Sequence, residues 1–191
     1  MAVPTTDVAL FGDSMLARFT KPHIQHLERE LGPPSTVYNC AAGGWDSSDG
    51  AARAAKLGAV EWSVVVLSFG ANDCAPWKHV PIDQFTANIE TVISAFGHAR
   101  VVAFLPPRIQ EVFRPGLGMR RNRDLDVYRN ALRAAVGPQC CLEPGSVELE
   151  GDGLHLTPES YTALIPALAK LISSSPPDRG TRYRESGPAE G

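Results

Sequence analysis

The chain has 191 residues, 43% of them hydrophobic and 20% charged, with a formal net charge of −3. That length suits one domain with its own core, and the mildly acidic balance offers no electrostatic footprint for nucleic acid or an anionic membrane. No run of about 18 apolar residues is present to span a bilayer. The opening stretch MAVPTTDVALFGDS lacks the basic start and long apolar run of an export signal. Cys40, Cys74, Cys140 and Cys141 are therefore expected to be free thiols in the cytoplasm.

An apolar run over 8–11 predicts the first strand, and a helix over 22–31 follows, starting at Pro22 and stopping before Gly32. A second strand is expected over 36–38 and an Ala-rich helix over 50–57, ending before Gly58. The run 64–69 is apolar at Val64, Val65, Val66 and Leu67 in succession, as a central strand covered on both faces would be. The segment 82–96 is amphipathic, with Phe85, Ile89, Val92, Ile93 and Phe96 on one side. A strand at 101–105, a helix over 122–135 and a weaker strand at 140–142 come next. The last helix opens with Thr157 as N-cap and Pro158 at its first position, and runs to Ile172 with Pro166 as a candidate kink. Ser, Pro, Gly and charge dominate residues 173–191, which predicts a disordered tail behind a single domain over 1–172. Strands alternating with helices imply an α/β three-layer sandwich around a parallel sheet of five strands. Ligands bind such sheets at the carboxyl ends of the strands, near the point where strand order reverses.

Four short segments fall at those strand ends: Gly12-Asp13-Ser14, then Asn39 to Gly44, then Gly70-Ala71-Asn72-Asp73, and finally Asp152-Gly153-Leu154-His155. Each alone reads as a turn, but all four in order at strand-to-helix transitions do not. Together they resemble the four blocks of the SGNH hydrolases, the GDSL esterase/lipase superfamily, over residues 8–172. FGANDCAPWKHVPIDQFTANI is most similar to the isoamyl acetate-hydrolysing branch. Met15 stands where the family name has Leu, a near-isosteric apolar exchange. The resemblance implies a flavodoxin-like fold and an esterase acting through an acyl-serine intermediate on short-chain or acetyl esters of small molecules. A thioesterase or acyltransferase using the same residues, and a non-catalytic module keeping only the fold, are the alternatives.

The residues themselves support that chemistry. A serine hydroxyl needs a neighbouring base, and Ser14 follows a strand directly. Among the five histidines, His155 has a carboxylate, Asp152, three residues before it, able to orient the imidazole. Ser14, Asp152 and His155 are thus the expected triad. Expected oxyanion donors are the backbone N–H of Ser14, that of Gly44 and the side-chain amide of Asn72. Gly43 competes with Gly44, and the spacing from Asn39 seen in family members favours Gly44. Asp13 and Asp73 read as loop-ordering acceptors of backbone N–H groups. Trp45 and Trp77 either wall the substrate pocket or pack ordinarily, Trp62 reads as core and His79 as structural. Arg108, Arg114, Arg120, Arg121 and Arg123 crowd one long loop. That loop reads first as a solvated segment, with a clamp for an anionic substrate group as the alternative. No nucleotide-binding glycine motif or zinc-like Cys/His spacing occurs, so neither metal nor organic cofactor is expected.

Overall fold

The computed structural model describes residues 6–174. Its strands are β1 (Thr6–Gly12), β2 (Ser35–Asn39), β3 (Val64–Ser68), β4 (Arg100–Phe104) and β5 (Cys141–Leu142). Its helices are α1 (Ser14–Ala17), α2 (Lys21–Leu31), α3 (Ser47–Gly58), α4 (Ile82–Ala95), α5 (Asn122–Val136) and α6 (Pro158–Ser173). All strand pairs are parallel, in the order β2-β1-β3-β4-β5. The connection from β1 runs outward to β2 and then returns across β1 to β3, so strand order reverses between β1 and β3. That is the α/β class expected from the alternating pattern, and it locates the crevice where ligands bind.

Every residue of β3 is buried, as its continuous apolar run requires, and β1 is buried from Val8 to Gly12. Helices α2 and α6 pack together, while α3, α4 and α5 pack in succession. Phe11 meets Phe69 and Phe96 edge-on at 5.9 and 5.5 Å, which ties β1 and β3 to the helices over them. A side chain at Gly12 would put its Cβ 2.2 Å from the Ser68 carbonyl oxygen, so only glycine lets β1 and β3 end this close together. Trp62 is core as expected, its Nε1 donating to the Leu57 carbonyl at 2.9 Å.

The structure corrects several boundaries. Helix α1 was not expected; it forms because the Asp13 carboxylate accepts the Met15 N–H at 2.9 Å, capping a single turn. Helix α3 begins three residues before Gly50, because Asp46 accepts the Ser48 and Asp49 N–H groups while Asp49 accepts that of Asp46. Helix α6 runs unbroken through Pro166, with Thr157 capping it as expected. Of the tail expected from 173 onward, Ser173 closes α6 and Ser174 is its C-cap; the rest lies outside the described residues. No helix among the described residues is long and apolar enough to cross a membrane.

Candidate active site

Ser14 is the first residue of α1, at the carboxyl end of β1, so the cap that starts the helix also aims its side chain across the sheet edge. Its Oγ–H donates to His155 Nε2 at 2.8 Å, and His155 Nδ1–H donates to Asp152 Oδ2 at 2.5 Å. The Asp152 carboxylate also builds the turn that carries the ring. Its Oδ1 accepts the N–H of Leu154 at 2.9 Å and of His155 at 3.0 Å, around Gly153 at φ +68°. The turn is pinned from both sides, by Gln110 N–H on the Gly153 carbonyl at 2.8 Å and Glu150 N–H on the His155 carbonyl at 2.7 Å. Partial burial opposes ionisation of Asp152, but the His155 and Leu154 hydrogen bonds outweigh it and hold the carboxyl well below the usual range. Asp152 therefore remains an anion able to orient and stabilise a protonated imidazole.

Two further segments close on the same point. Asn72, after β3, donates one amide hydrogen to the Trp45 carbonyl at 2.8 Å, while its Oδ1 accepts from Arg120 Nη2 at 3.0 Å. Both contacts hold the amide in one orientation, and its second N–H meets no acceptor among the described residues. Gly44, after β2, adopts φ +80°, and its carbonyl is held by Lys78 Nζ at 2.7 Å. Lys78 also pairs with Asp46 at 3.0 Å. Neither the Gly44 nor the Ser14 backbone N–H meets an acceptor among the described residues. Gly43 does not share the left-handed backbone that makes position 44 a glycine position. Ser14, Gly44, Asn72, Asp152 and His155 line one cleft of about 490 Å³, with Trp77, Leu117 and three arginines at its walls.

Asp13 and Asp73 order the loops as expected. Asp73 accepts the N–H of Ser47 at 2.8 Å and of Gly70 at 2.9 Å, joining the start of α3 to the third block. Desolvation raises the pKa of both carboxyls, that of Asp13 to about 7. Trp77 stands in the cleft wall with Arg120 over its ring at 4.7 Å. Trp45 does not: its ring lies edge-on to Phe11 and beneath Arg53, so it packs ordinarily and serves the site through its carbonyl alone. His79 lies in the turn before α4, away from the cleft. The sequence did not show three supporting roles. Asn39 ties β2 to α1 by donating to the Leu16 carbonyl at 3.0 Å; Arg18 pairs with Glu150 at 2.5 Å beside Asp152; and Arg120 holds Asn72. Glu150, Asp152 and His155 place three possible metal-ligand atoms within 4.8 Å of one another, but Glu150 is committed to Arg18 and Asp152 to His155.

A model of the GDSL-like lipase/acylhydrolase family matches residues 10–163. No curated protein sequence matches the chain significantly. Among solved structures, a lipase/acylhydrolase from Enterococcus faecalis superposes with a TM-score of 0.76 at 22% identity, covering 87% of this chain and 95% of that one. The native aryl esterase of M. smegmatis gives 0.72 at 17% identity, over 87% and 98%. A carbohydrate acetylesterase from Sinorhizobium meliloti gives 0.70 at 15% identity, over the same shares. At these identities the likeness is one of fold.

Proposed function

Because the chain belongs to the GDSL-like lipase/acylhydrolase family, we propose that it is a serine carboxylic-ester hydrolase with Ser14, His155 and Asp152 as its catalytic triad. The observation that carries the reading is the unbroken hydrogen-bond line from Ser14 Oγ through both ring nitrogens of His155 to Asp152. In this reading His155 Nε2 takes the Ser14 proton as Oγ attacks the ester carbonyl, and Asp152 stabilises the imidazolium. The tetrahedral oxyanion receives hydrogen bonds from the Ser14 and Gly44 N–H groups and the free Asn72 amide hydrogen. His155 then returns its proton to the leaving alcohol, giving an acyl-Ser14 ester. Water, activated by the same imidazole, attacks the acyl carbon, and Ser14 regains its proton as the acid departs. Short-chain or acetyl esters of small molecules are the substrates of this reading, and four free cysteines suit the cytoplasm.

The test pairs a fluorophosphonate probe with a chain-length series of p-nitrophenyl esters. The probe is expected to label Ser14. Ser14→Ala or His155→Ala is expected to lower kcat on the order of 10⁴-fold or more. Ester turnover that survives Ser14→Ala would overturn the assignment, and highest kcat/KM at long acyl chains would overturn the short-chain preference.

A further inference from the structure

Of the five arginines over 108–123, Arg121 is the exposed N-cap residue of α5, and the other four divide into two groups. Arg108 and Arg123 lie at the surface against Asp126 and Asp124, at 3.1 and 3.3 Å. Arg114 and Arg120 turn inward and line the cleft that holds Ser14 and His155. Their positions are built by the chain. Arg114 and Gly118 exchange backbone hydrogen bonds at 2.8 and 2.9 Å across a tight turn, and Gly118 rests against Pro76. Arg120 is clasped between the Trp77 ring and Asn72 Oδ1.

Neither guanidinium forms an ion pair with a carboxylate among the described residues. Arg114 donates to the Asp152 carbonyl oxygen at 3.3 Å, and the buried Nε of Arg120 has no partner among the described residues. Burial lowers the Arg120 pKa and repulsion from Arg114 adds to the effect, against opposing attraction from Cys74, Asp13 and Asp152. The Asp152 carboxylate is engaged by His155, Asp13 is buried beneath the site, and Glu150 is engaged by Arg18. Two neighbouring, half-buried cations with no carboxylate in direct contact leave donors that a bound anion would engage. Guanidinium forks match carboxylate and phosphate oxygens in pairs.

We propose that the cleft takes esters whose acyl or alcohol part carries a carboxylate or phosphate group, bound by Arg114 and Arg120 while the ester carbonyl lies at Ser14. The inference rests on the esterase reading and adds the substrate class to it. Trp77 and Leu117, both partly exposed at the cleft, cover the apolar part of such an ester.

Esters matched in shape and differing in charge test it. On the alcohol side they are 4-acetoxybenzoate and 4-acetoxyphenyl phosphate against methyl 4-acetoxybenzoate. On the acyl side they are p-nitrophenyl hydrogen succinate against its methyl ester. The readout is the ratio of kcat/KM for the anionic ester to that for its neutral match, which divides out any effect of a variant on Asn72 or the reacting groups. The ratio is expected to exceed one for at least one pair, to fall with added salt, and to drop roughly tenfold to a hundredfold in Arg114→Gln and in Arg120→Gln. Thermal melting of both variants establishes that they are folded. Neutral-ester hydrolysis that is absent, or that persists in Ser14→Ala, refutes the esterase reading and this inference with it. Ser14-dependent hydrolysis with every ratio at or below one, or with ratios that neither variant moves, refutes this inference alone.

Discussion

Replacing Asp13 by Asn changes how the stability of this fold depends on pH. Asp13 is fully buried beside Ser14, with Oδ1 accepting the Met15 N–H and Oδ2 without a partner among the described residues. Desolvation, reinforced by the nearby Asp73 carboxylate, raises its pKa from the ordinary 3.8 to about 7. Between those values the folded protein holds a proton that the unfolded chain has released. Stability is therefore lost as pH rises through that window. A displacement of about 3 pH units, at 1.36 kcal/mol each, amounts to about 4 kcal/mol lost between about pH 4 and about pH 7. Asn keeps a carbonyl for the Met15 N–H and is a good N-cap, but it does not titrate. Asp73 is present in both proteins, so its own titration cancels apart from its repulsion of Asp13. The assay is urea unfolding of the parent and of Asp13→Asn from about pH 4 to about pH 8, compared at equal slope m. The variant is expected to gain on the parent by about 4 kcal/mol across that range, with the parent relatively strongest in acid. Parallel stability curves would show that Asp13 does not hold its proton in the fold, and the reasoning would fall.

Two further outcomes are expected. Gly44→Ala forces a Cβ onto a φ of +80° although open space surrounds it. The backbone should shift and withdraw the Gly44 N–H, lowering kcat on p-nitrophenyl acetate on the order of 10²-fold with about 1–2 kcal/mol of lost stability. Gly43→Ala, free of that strain, is the control; equal kcat values for the two variants would remove Gly44 from the oxyanion site. Arg129 is buried, donating to the Pro106 carbonyl at 2.8 Å and pairing with the half-exposed Glu143. Arg129→Met should lower the stability read from the urea midpoint by about 2–3 kcal/mol, since Met fills the volume but makes neither polar contact. An unchanged midpoint would show those contacts to be energetically neutral.

What the sequence revealed and what it concealed follow from the range of the interactions involved. The strands over 64–69 and 101–105 were legible because a sheet buried on both faces demands consecutive apolar residues, and β3 and β4 lie there. The segments with Ser14 and with His155 were legible because local turn chemistry constrains residue type where the chain leaves β1 and where it enters α6. Helix α1 was not, since four residues are too few to show a period and its only local sign is Asp13 before Ser14. The start of α3 had a readable signal in Asp46 and Asp49, three apart, which the Ala-rich run after Gly50 obscured. The fates of Trp45 and of the loop arginines had no local signal. Arg114 and Arg123 look alike along the chain. The turn at Gly116 and Gly118 and the packing of Gly118 on Pro76 send Arg114 inward, whereas Arg123 stands on the surface of α5 beside Asp124.

The supports of the site share one device, in which a side chain at or beside the site accepts backbone N–H groups, mostly from its own turn and, for Asp73, from a second segment as well. Asp13 caps α1, Asn39 binds the Ala41 N–H while holding α1, Asp73 joins the Ser47 and Gly70 segments, and Asp152 folds its own turn. Charged acceptors make stronger bonds to N–H donors than neutral ones, but they must be dehydrated when they are buried. Asp152 escapes the larger part of that cost because it is only partly buried and faces His155. Asp13 and Asp73 bear it in full, and their raised pKa values record it. The donors expected to meet an oxyanion must hold their positions before the charge develops, and loops tied only to water would not do so. The fold thus gives up stability near neutral pH at two buried carboxylates to hold three strand ends in fixed relation.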